Sequence, residues 1–328
     1  MSFAFLFLCV CGKKCVTKAK KGVAYLLFTT QCATIFAMKG IIITNQYDHS
    51  TTQSKKVLRM TSELEQLGVE VTVLSACQAM AYLHQGNTTC PVDADFVLYF
   101  DKDKYNAQML EQCGLRLFNS SSATELCDDK MLTHIALANC GIPMPTTISA
   151  PLCYVAGSQP SKEFLQKVEQ TLGFPLVAKQ CFGSFGEQVY LVNNREELLQ
   201  TYTKLMAVPH IYQQFVAESR GKDMRVIVIG NKVVCGMIRY SDSDFRSNIE
   251  RGGWATSVQV PQDIANMCEQ ASKALGLDYC GIDVLLGEQP TICEVNSNAM
   301  FAAMESVTGV NVAKAYAQHI VNSVKNSK

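Results

Sequence analysis

Asp283-Val-Leu-Leu-Gly-Glu-Gln-Pro-Thr-Ile-Cys-Glu294-Val-Asn296-Ser-Asn298 holds two apolar runs joined by a turn, with acids and amides at their ends. Successive side chains alternate across a strand, so Glu294, Asn296 and Asn298 share one face and Asp283 reaches them from the neighbouring strand. The set offers only oxygen donors. Hard divalent cations such as Mg²⁺ take such oxygens, keep several waters and complete their shell with substrate phosphates, which makes a nucleotide the natural partner. The same residues would also suit the solvent face of an ordinary hairpin, so the decision rests on the segments upstream.

Pro175-Leu-Val-Ala-Lys179 is a short apolar strand ending in a lysine, and Cys181-Phe-Gly183-Ser184-Phe-Gly186-Glu-Gln-Val189 leads into a second apolar run that ends at Val192. Glycines at 183 and 186 around Ser184 would let backbone N–H groups approach phosphate oxygens, with Lys179 as a point charge. A glycine hairpin turn has the same look, and no Gly-Lys-Ser/Thr precedes a helix as in a Walker A loop. Ile211 to Val216 reads as a strand and 217–223 as a polar turn, followed by an antiparallel pair, Met224 to Ile229 and Val233 to Ile238, around Gly230-Asn231. In Asp244-Phe-Arg246-Ser-Asn248-Ile-Glu-Arg251-Gly-Gly253 two arginines flank an asparagine. That loop suits phosphate or carboxylate recognition, or is a solvated basic loop.

Taken in order, Lys179, the glycine loop, Gln214 to Asp223, Arg246-Ser-Asn248, Arg251-Gly-Gly, Asp283 and Glu294-Val-Asn296 resemble the ATP-grasp superfamily, and within it the RimK-type carboxylate–amine (glutamate) ligases. The likeness runs from about Lys130 to the C-terminus, with a weaker version over Met38 to Ser120. It implies the ATP-grasp fold, of the α/β (α+β) class: a small N-terminal parallel-sheet domain followed by two α+β subdomains clamping ATP. The implied boundaries are 38–120, 121–213 and 214–328, after an extension over 1–37. By resemblance, Lys130 and Lys179 contact phosphate, with Gly183, Ser184 and Gly186 over it. Gln214, Phe215 and Val216 form the adenine hinge, and Asp223 closes the nucleotide segment. Arg246 steadies the acyl phosphate and the tetrahedral intermediate with Asn248 beside it, and Asp283, Glu294 and Asn296 hold Mg²⁺, with Mn²⁺ as the alternative ion. Two departures stand out: Gln188, where related loops often carry glycine, and Asn298-Ala-Met300, where many relatives have Pro-Gly.

The resemblance implies an ATP-dependent ligase that joins an amino-acid or other carboxylate substrate to an amine acceptor through an acyl phosphate. No dedicated nucleophile is needed, which fits the absence of a Ser-His or Cys-His constellation. An ATP-grasp kinase acting on a hydroxyl and a non-catalytic ATP sensor are the rivals. Asp283→Asn and Glu294→Gln are both expected to abolish ADP formation and leave the fold intact.

Composition narrows the partners. With 29 basic and 29 acidic residues and no basic block in the body of the 328-residue chain, sequence-independent nucleic-acid binding is not expected. Fifteen cysteines scattered singly read as reduced thiols of a cytoplasmic protein, acting as small apolar fillers. Cys9, Cys11 and Cys15 cluster, but no second pair at zinc spacing accompanies them, and Cys181 has no evident base. The apolar runs at 3–10 and 23–28 are too short to span a bilayer, and the lysines follow the first run instead of preceding it. Residues 1–37 are therefore expected to be a peripheral extension or a misassigned start, with the domain beginning at Met38. A homo-oligomer is the family expectation. The five histidines lack ligand spacing, and Trp254 suits either an acceptor pocket or ordinary packing.

From Met38 to about Phe118 strands alternate with helices, the pattern of an open parallel sheet. Helices are expected at 54–67, 103–113, from 123 with Ser121 or Ser122 as cap, and at 130–140, 161–172, 195–206, 261–275 and 311–324.

Overall fold

A computed structural model describes residues 38–183, 186–249 and 252–327. The expectations for 1–37, including Cys9, Cys11, Cys15 and membrane insertion, and those for Ser184 and Arg251, lie outside the described residues.

The first part runs β1 (Met38–Thr44), α1 (Thr51–Gln66), β2 (Val69–Ser75), β3 (Tyr82–His84), β4 (Asn87–Thr89), β5 (Phe96–Phe100), α2 (Lys104–Gln112) and β6 (Leu117–Phe118). Four of these strands form a parallel sheet in the order β2-β1-β5-β6, and β3 and β4 pair as a separate hairpin. Strands covered on both faces read as unbroken apolar runs. Ile41 to Ile43 and Phe96 to Phe100 are accordingly all buried. Helix α1 starts earlier than its apolar periodicity suggests, because the Ser50 side chain accepts the Gln53 N–H and caps it. The same effect moves α3 (Ser121–Asp128): Ser120 is its cap, while Ser121 is bonded to Glu111.

After α4 (Lys130–Ala138) come β7 (Thr147–Ser149), α5 (Lys162–Leu172), β8 (Leu176–Gln180), β9 (Val189–Val192), α6 (Arg195–Leu205) and β10 (His210–Gln214). They make an antiparallel sheet in the order β7-β10-β8-β9. Leu165 and Val168 of α5 and Leu198 and Leu205 of α6 close its core against Leu176, Ala178 and Tyr212.

The remainder is β11 (Lys222–Ile229), β12 (Lys232–Tyr240), β13 (Trp254–Val258), α7 (Gln262–Ala274), β14 (Tyr279–Leu286), β15 (Pro290–Asn296), α8 (Ala302–Thr308) and α9 (Val312–Asn326). Its antiparallel sheet has the order β13-β12-β11-β14-β15. Between β11 and β12, Gly230 and Asn231 both have positive φ, 55° and 60°, the geometry that matches strand twist in a tight hairpin. Helix α9 ties this sheet to the first. Tyr316 stacks on Tyr279 with centroids 4.6 Å apart, and the same core contains Ile42, Leu98 and Phe118. The N-terminal sheet is thereby held facing the large sheet, and the cleft lies where they and the middle sheet meet. The β3–β4 hairpin, β7 and α8 were not expected from sequence. Each of these strands, and the helix, is seven residues or shorter, too brief for a periodic signal.

Candidate active site

Strands β14 and β15 pair in antiparallel register with Asp283 opposite Glu294 and Gly281 opposite Asn296. Residues directly opposite project to the same face, so the two carboxylates and the Asn296 amide converge as the alternation requires. Asn298 lines the same cavity, but its side-chain oxygen is engaged by Lys56. Strand β15 ends at Asn296, and beyond it the alternation no longer holds. The Asn298 carbonyl side chain instead accepts a bond from Lys56 Nζ, whose second contact is the Asn298 backbone oxygen at 3.3 Å.

A single cavity of about 380 Å³ is lined by Asp283, Glu294 and Asn296 together with Lys130, Lys179, Gly183 and Gly186. Gln214, Phe215, Val216, Asp223, Arg246 and Asn248 line it too. Every described residue that the family resemblance assigns to the site is therefore brought to one place; Ser184 lies outside the described residues. Trp254 does not line the cavity but stacks on Tyr240, centroids 4.3 Å apart, and is half exposed.

Asp283 is not a bare ligand. Arg225 grips both its oxygens, each at 2.7 Å, and Arg239 Nη2 lies 2.9 Å from Oδ2. Arg239, itself 2% exposed, also binds Asp223 through Nε at 2.8 Å. Burial opposes the Asp283 carboxylate, yet Arg225 and Arg239 outweigh it and hold its pKa at about 2. Removing one partner of such a buried network costs about 3–5 kcal/mol, because the other charge is left uncompensated. The expectation that Asp283→Asn leaves the fold intact is therefore corrected. Neither Arg225 nor Arg239 was found in the sequence. Strand β11 begins at Lys222, so Asp223 and Arg225 share a face opposite Arg239 and Asp283. Placing Asp223 in a turn concealed that pattern.

The donor set nonetheless fits Mg²⁺. An ionised carboxylate has about four acceptor sites, so Asp283 keeps capacity beyond its arginines. Glu294 is a third exposed, with Lys130 Nζ 3.6 Å away as its one ion-pair contact among the described residues. Among the described residues no group of three or more His, Cys, Asp and Glu is placed to hold a metal; the set here has two acids and an amide.

Lys179 is buried at the end of β8 and contacts Gln213 Oε1 at 2.7 Å and Cys293 Sγ at 3.2 Å. Gln213, and not only Gln214, thus belongs to the site; its amide also reaches Thr147 Oγ1 at 2.9 Å and His134 Nε2 at 3.2 Å. Burial, then Lys179 and Lys130, lowers the His134 pKa to about 4, so this imidazole is neutral near pH 7. Cys181 is likewise a buried filler: burial and nearby Asp129 push its thiol up to about 11.

The glycine loop lies against its neighbours. Lys130 Nζ donates to Gly183 O at 3.1 Å, and Arg246 Nη1 donates to Gly186 O. Arg246 is also clasped by Asp244, with Nη2 to Oδ2 at 2.6 Å. In this arrangement Arg246 latches the loop to the large sheet while still lining the cavity. A Cβ on Gly186, where φ is +67°, would come 3.1 Å from Asn248 Oδ1 and 3.2 Å from Arg246 Cδ, so backbone angle and close approach both favour glycine. The departure at Gln188 has a local role: its side chain packs against Gly183, where a Cβ would collide with it.

Residues 127–320 match the RimK-like ATP-grasp domain, more than half of the chain. Mouse N-acetylaspartylglutamate synthase A is 32% identical over 221 residues, covering 66% of this chain and 57% of that protein. Human beta-citrylglutamate synthase B is 31% identical over 232 residues, 70% of this chain and 58% of that protein. The chain thus spans little more than half the length of either synthase. Among solved structures, the ATP-grasp ligase PsnB complexed with minimal precursor superposes with a TM-score of 0.66 at 18% identity, over 86% of this chain and 98% of that one, a likeness of fold.

Proposed function

The chain belongs to the RimK-like ATP-grasp family of ATP-dependent carboxylate–amine ligases, and from that premise we propose that its cleft joins glutamate to a protein, peptide or small-molecule partner. The observation that carries this reading is the meeting, in one cavity, of two lysines, a glycine loop, a hinge and the Asp283, Glu294 and Asn296 oxygens.

The residues act by position and charge. The hinge at Gln214 to Val216 takes the base. Lys130 and Lys179 bind phosphate oxygens, Gly183 to Gly186 cover them, and Asp283, Glu294 and Asn296 would hold Mg²⁺, or Mn²⁺ in its place. The ion supplies neutralisation of the phosphate charge. A substrate carboxylate oxygen attacks the γ-phosphorus, the bond to the β,γ-bridging oxygen breaks, and ADP leaves. The nitrogen of an amine then attacks the acyl carbon, the C–O bond to phosphate breaks, and inorganic phosphate departs while the amine's proton passes to solvent. Arg246, with Asn248 beside it, stabilises the oxyanion between these events, and the closed loop keeps water from the acyl phosphate.

The reading assigns 38–120 to a substrate-facing domain and 121–213 and 214–328 to the two halves of the clamp. All eleven described cysteines are free, which supports a reducing compartment such as the cytoplasm. Among the described residues no helix is long and apolar enough to cross a membrane. A homo-oligomer, the family expectation, is checked by light scattering of the full chain.

The test is phosphate release from Mg·ATP over a panel of amino acids, singly and in pairs, with mass spectrometry of the products. Amide formed in step with ADP is the expected result. Phosphate transfer to a hydroxyl without any amine would favour a kinase, and tight ATP binding with no release under any pair would favour a sensor.

A further inference from the structure

The N-terminal sheet brings a second set of groups to the cavity, from residues outside the 127–320 family match. In the order β2-β1-β5-β6 the chain runs outward from β1 to one side and from β5 to the other. The crevice beyond the carboxyl ends of β1 and β5 is therefore a topological switch point, where open α/β sheets bind ligands.

The loops there supply oxygen acceptors. Asp101, 6% exposed, follows β5 and lines the cavity. Its Oδ1 takes both available bonds, from Asn45 Nδ2 at 2.9 Å and Lys102 N at 2.6 Å, and no described residue donates to Oδ2. Asp48, in the loop after β1, lines the same cavity and is exposed. Neither acid has an ion-pair partner among the described residues. The nearby cations are directed elsewhere: Lys102 Nζ lies 2.5 Å from Asp128, and Lys56 Nζ faces Asn298. Gln53, 3% exposed on the first turn of α1, lines the crevice as well, and its Oε1 has no hydrogen-bond partner. Buried acceptors are seldom left unpaired without a ligand or water to meet them.

Two carboxylates without ion-pair partners among the described residues, Asp48 accepting only the Ser50 N–H at 2.9 Å, and an orphan amide oxygen accept hydrogen bonds and donate none, which is the complement of a primary ammonium with its three N–H donors. We propose that this crevice is the subsite for the ammonium group of the amine co-substrate, with Asp101, Asp48 and Gln53 as its acceptors. The assignment rests on the ligase reading and deepens it. The N-terminal sheet selects the amine and brings it toward the acyl phosphate formed over β14 and β15.

The test is binding, so that it needs no turnover. Saturation-transfer NMR of the full chain with Mg·ADP compares L-glutamate with glutarate, which has the same two carboxylates and no amino group. Wild type is expected to favour L-glutamate, and Asp48→Asn to weaken L-glutamate by about tenfold or more while leaving glutarate and ADP within about twofold. Asp101→Asn should do the same. Because Asp101 is buried and Asp48 exposed, the Asp48 variant keeps the test sharp if the other fails to fold. Equal binding of both probes to wild type, unchanged L-glutamate binding in Asp48→Asn, or equal loss of both probes would overturn the assignment. Failure of the ligase reading shows separately, as wild type releasing no amide in the product assay while the NMR preference stands.

Discussion

The two walls of the cleft treat buried charge in opposite ways. On the large sheet, Asp223, Arg239, Asp283 and Arg225 form a chain of matched ion pairs with every carboxylate answered by a guanidinium. In the N-terminal wall, outside the cavity lining, Lys56 is 2% exposed and has no carboxylate partner among the described residues; its Nζ meets the Asn298 oxygens and lies 4.1 Å from the Phe100 ring and 5.7 Å from the Tyr279 ring. Burial lowers its pKa from 10.5 to about 7. The matched wall fixes geometry at neutral pH, because each removal strands a charge. The unmatched wall makes stability depend on protons.

The largest effect should come from cutting the matched wall. Asp283→Ala leaves Arg225 without its carboxylate and is expected to lower unfolding free energy by about 3–5 kcal/mol in urea titrations, with phosphate release lost as well. Next is Glu294→Gln, which touches the same metal set but only one distant lysine. Phosphate release should fall about 100-fold or more while the melting temperature hardly moves. If instead both variants lost stability equally, the division between structural and chemical acids in this wall would be wrong.

The unmatched wall is probed through pH. Between about pH 7 and 10.5 the folded Lys56 amine has released its proton while the unfolded one retains it. Raising pH through that window therefore stabilises the fold, by about 1.4 kcal/mol per unit from this group, and the contribution is absent below pH 7. Lys56→Met should flatten that rise, and denaturation midpoints at pH 7, 8 and 9 measure it. The smallest effect is expected at the rim. Lys102→Ala removes a pair to Asp128 in which the lysine side chain is 43% exposed, and stability should change by less than about 1 kcal/mol.

The regions differ in how far sequence reveals them. The strands at 189–192 and 96–100 are legible residue for residue, since unbroken apolar runs bounded by turn residues have few other solutions. Helix starts are less so: Ser50 and Ser120 decide α1 and α3 through cap hydrogen bonds that periodicity does not encode. Asp283, Glu294, Asn296, Lys130, Lys179 and Arg246 could be named because spaced motifs in order are specific. Arg225, Arg239 and Gln213 were missed because their roles depend on register between strands.

What the sequence determined by itself is the chemistry available: oxygen donors at the ends of two apolar runs, a glycine loop behind a lysine, and no Ser-His or Cys-His constellation. These are local properties, set by residue type and strand alternation. Tertiary structure alone decided which charges meet. Asp283 is claimed by two arginines, Asn298 is bonded to Lys56, and Asp48, Gln53 and Asp101 are carried to the cavity from a sheet far away in the chain. Contacts between distant segments follow from how three sheets pack around shared cores, and that packing depends on all the buried side chains together.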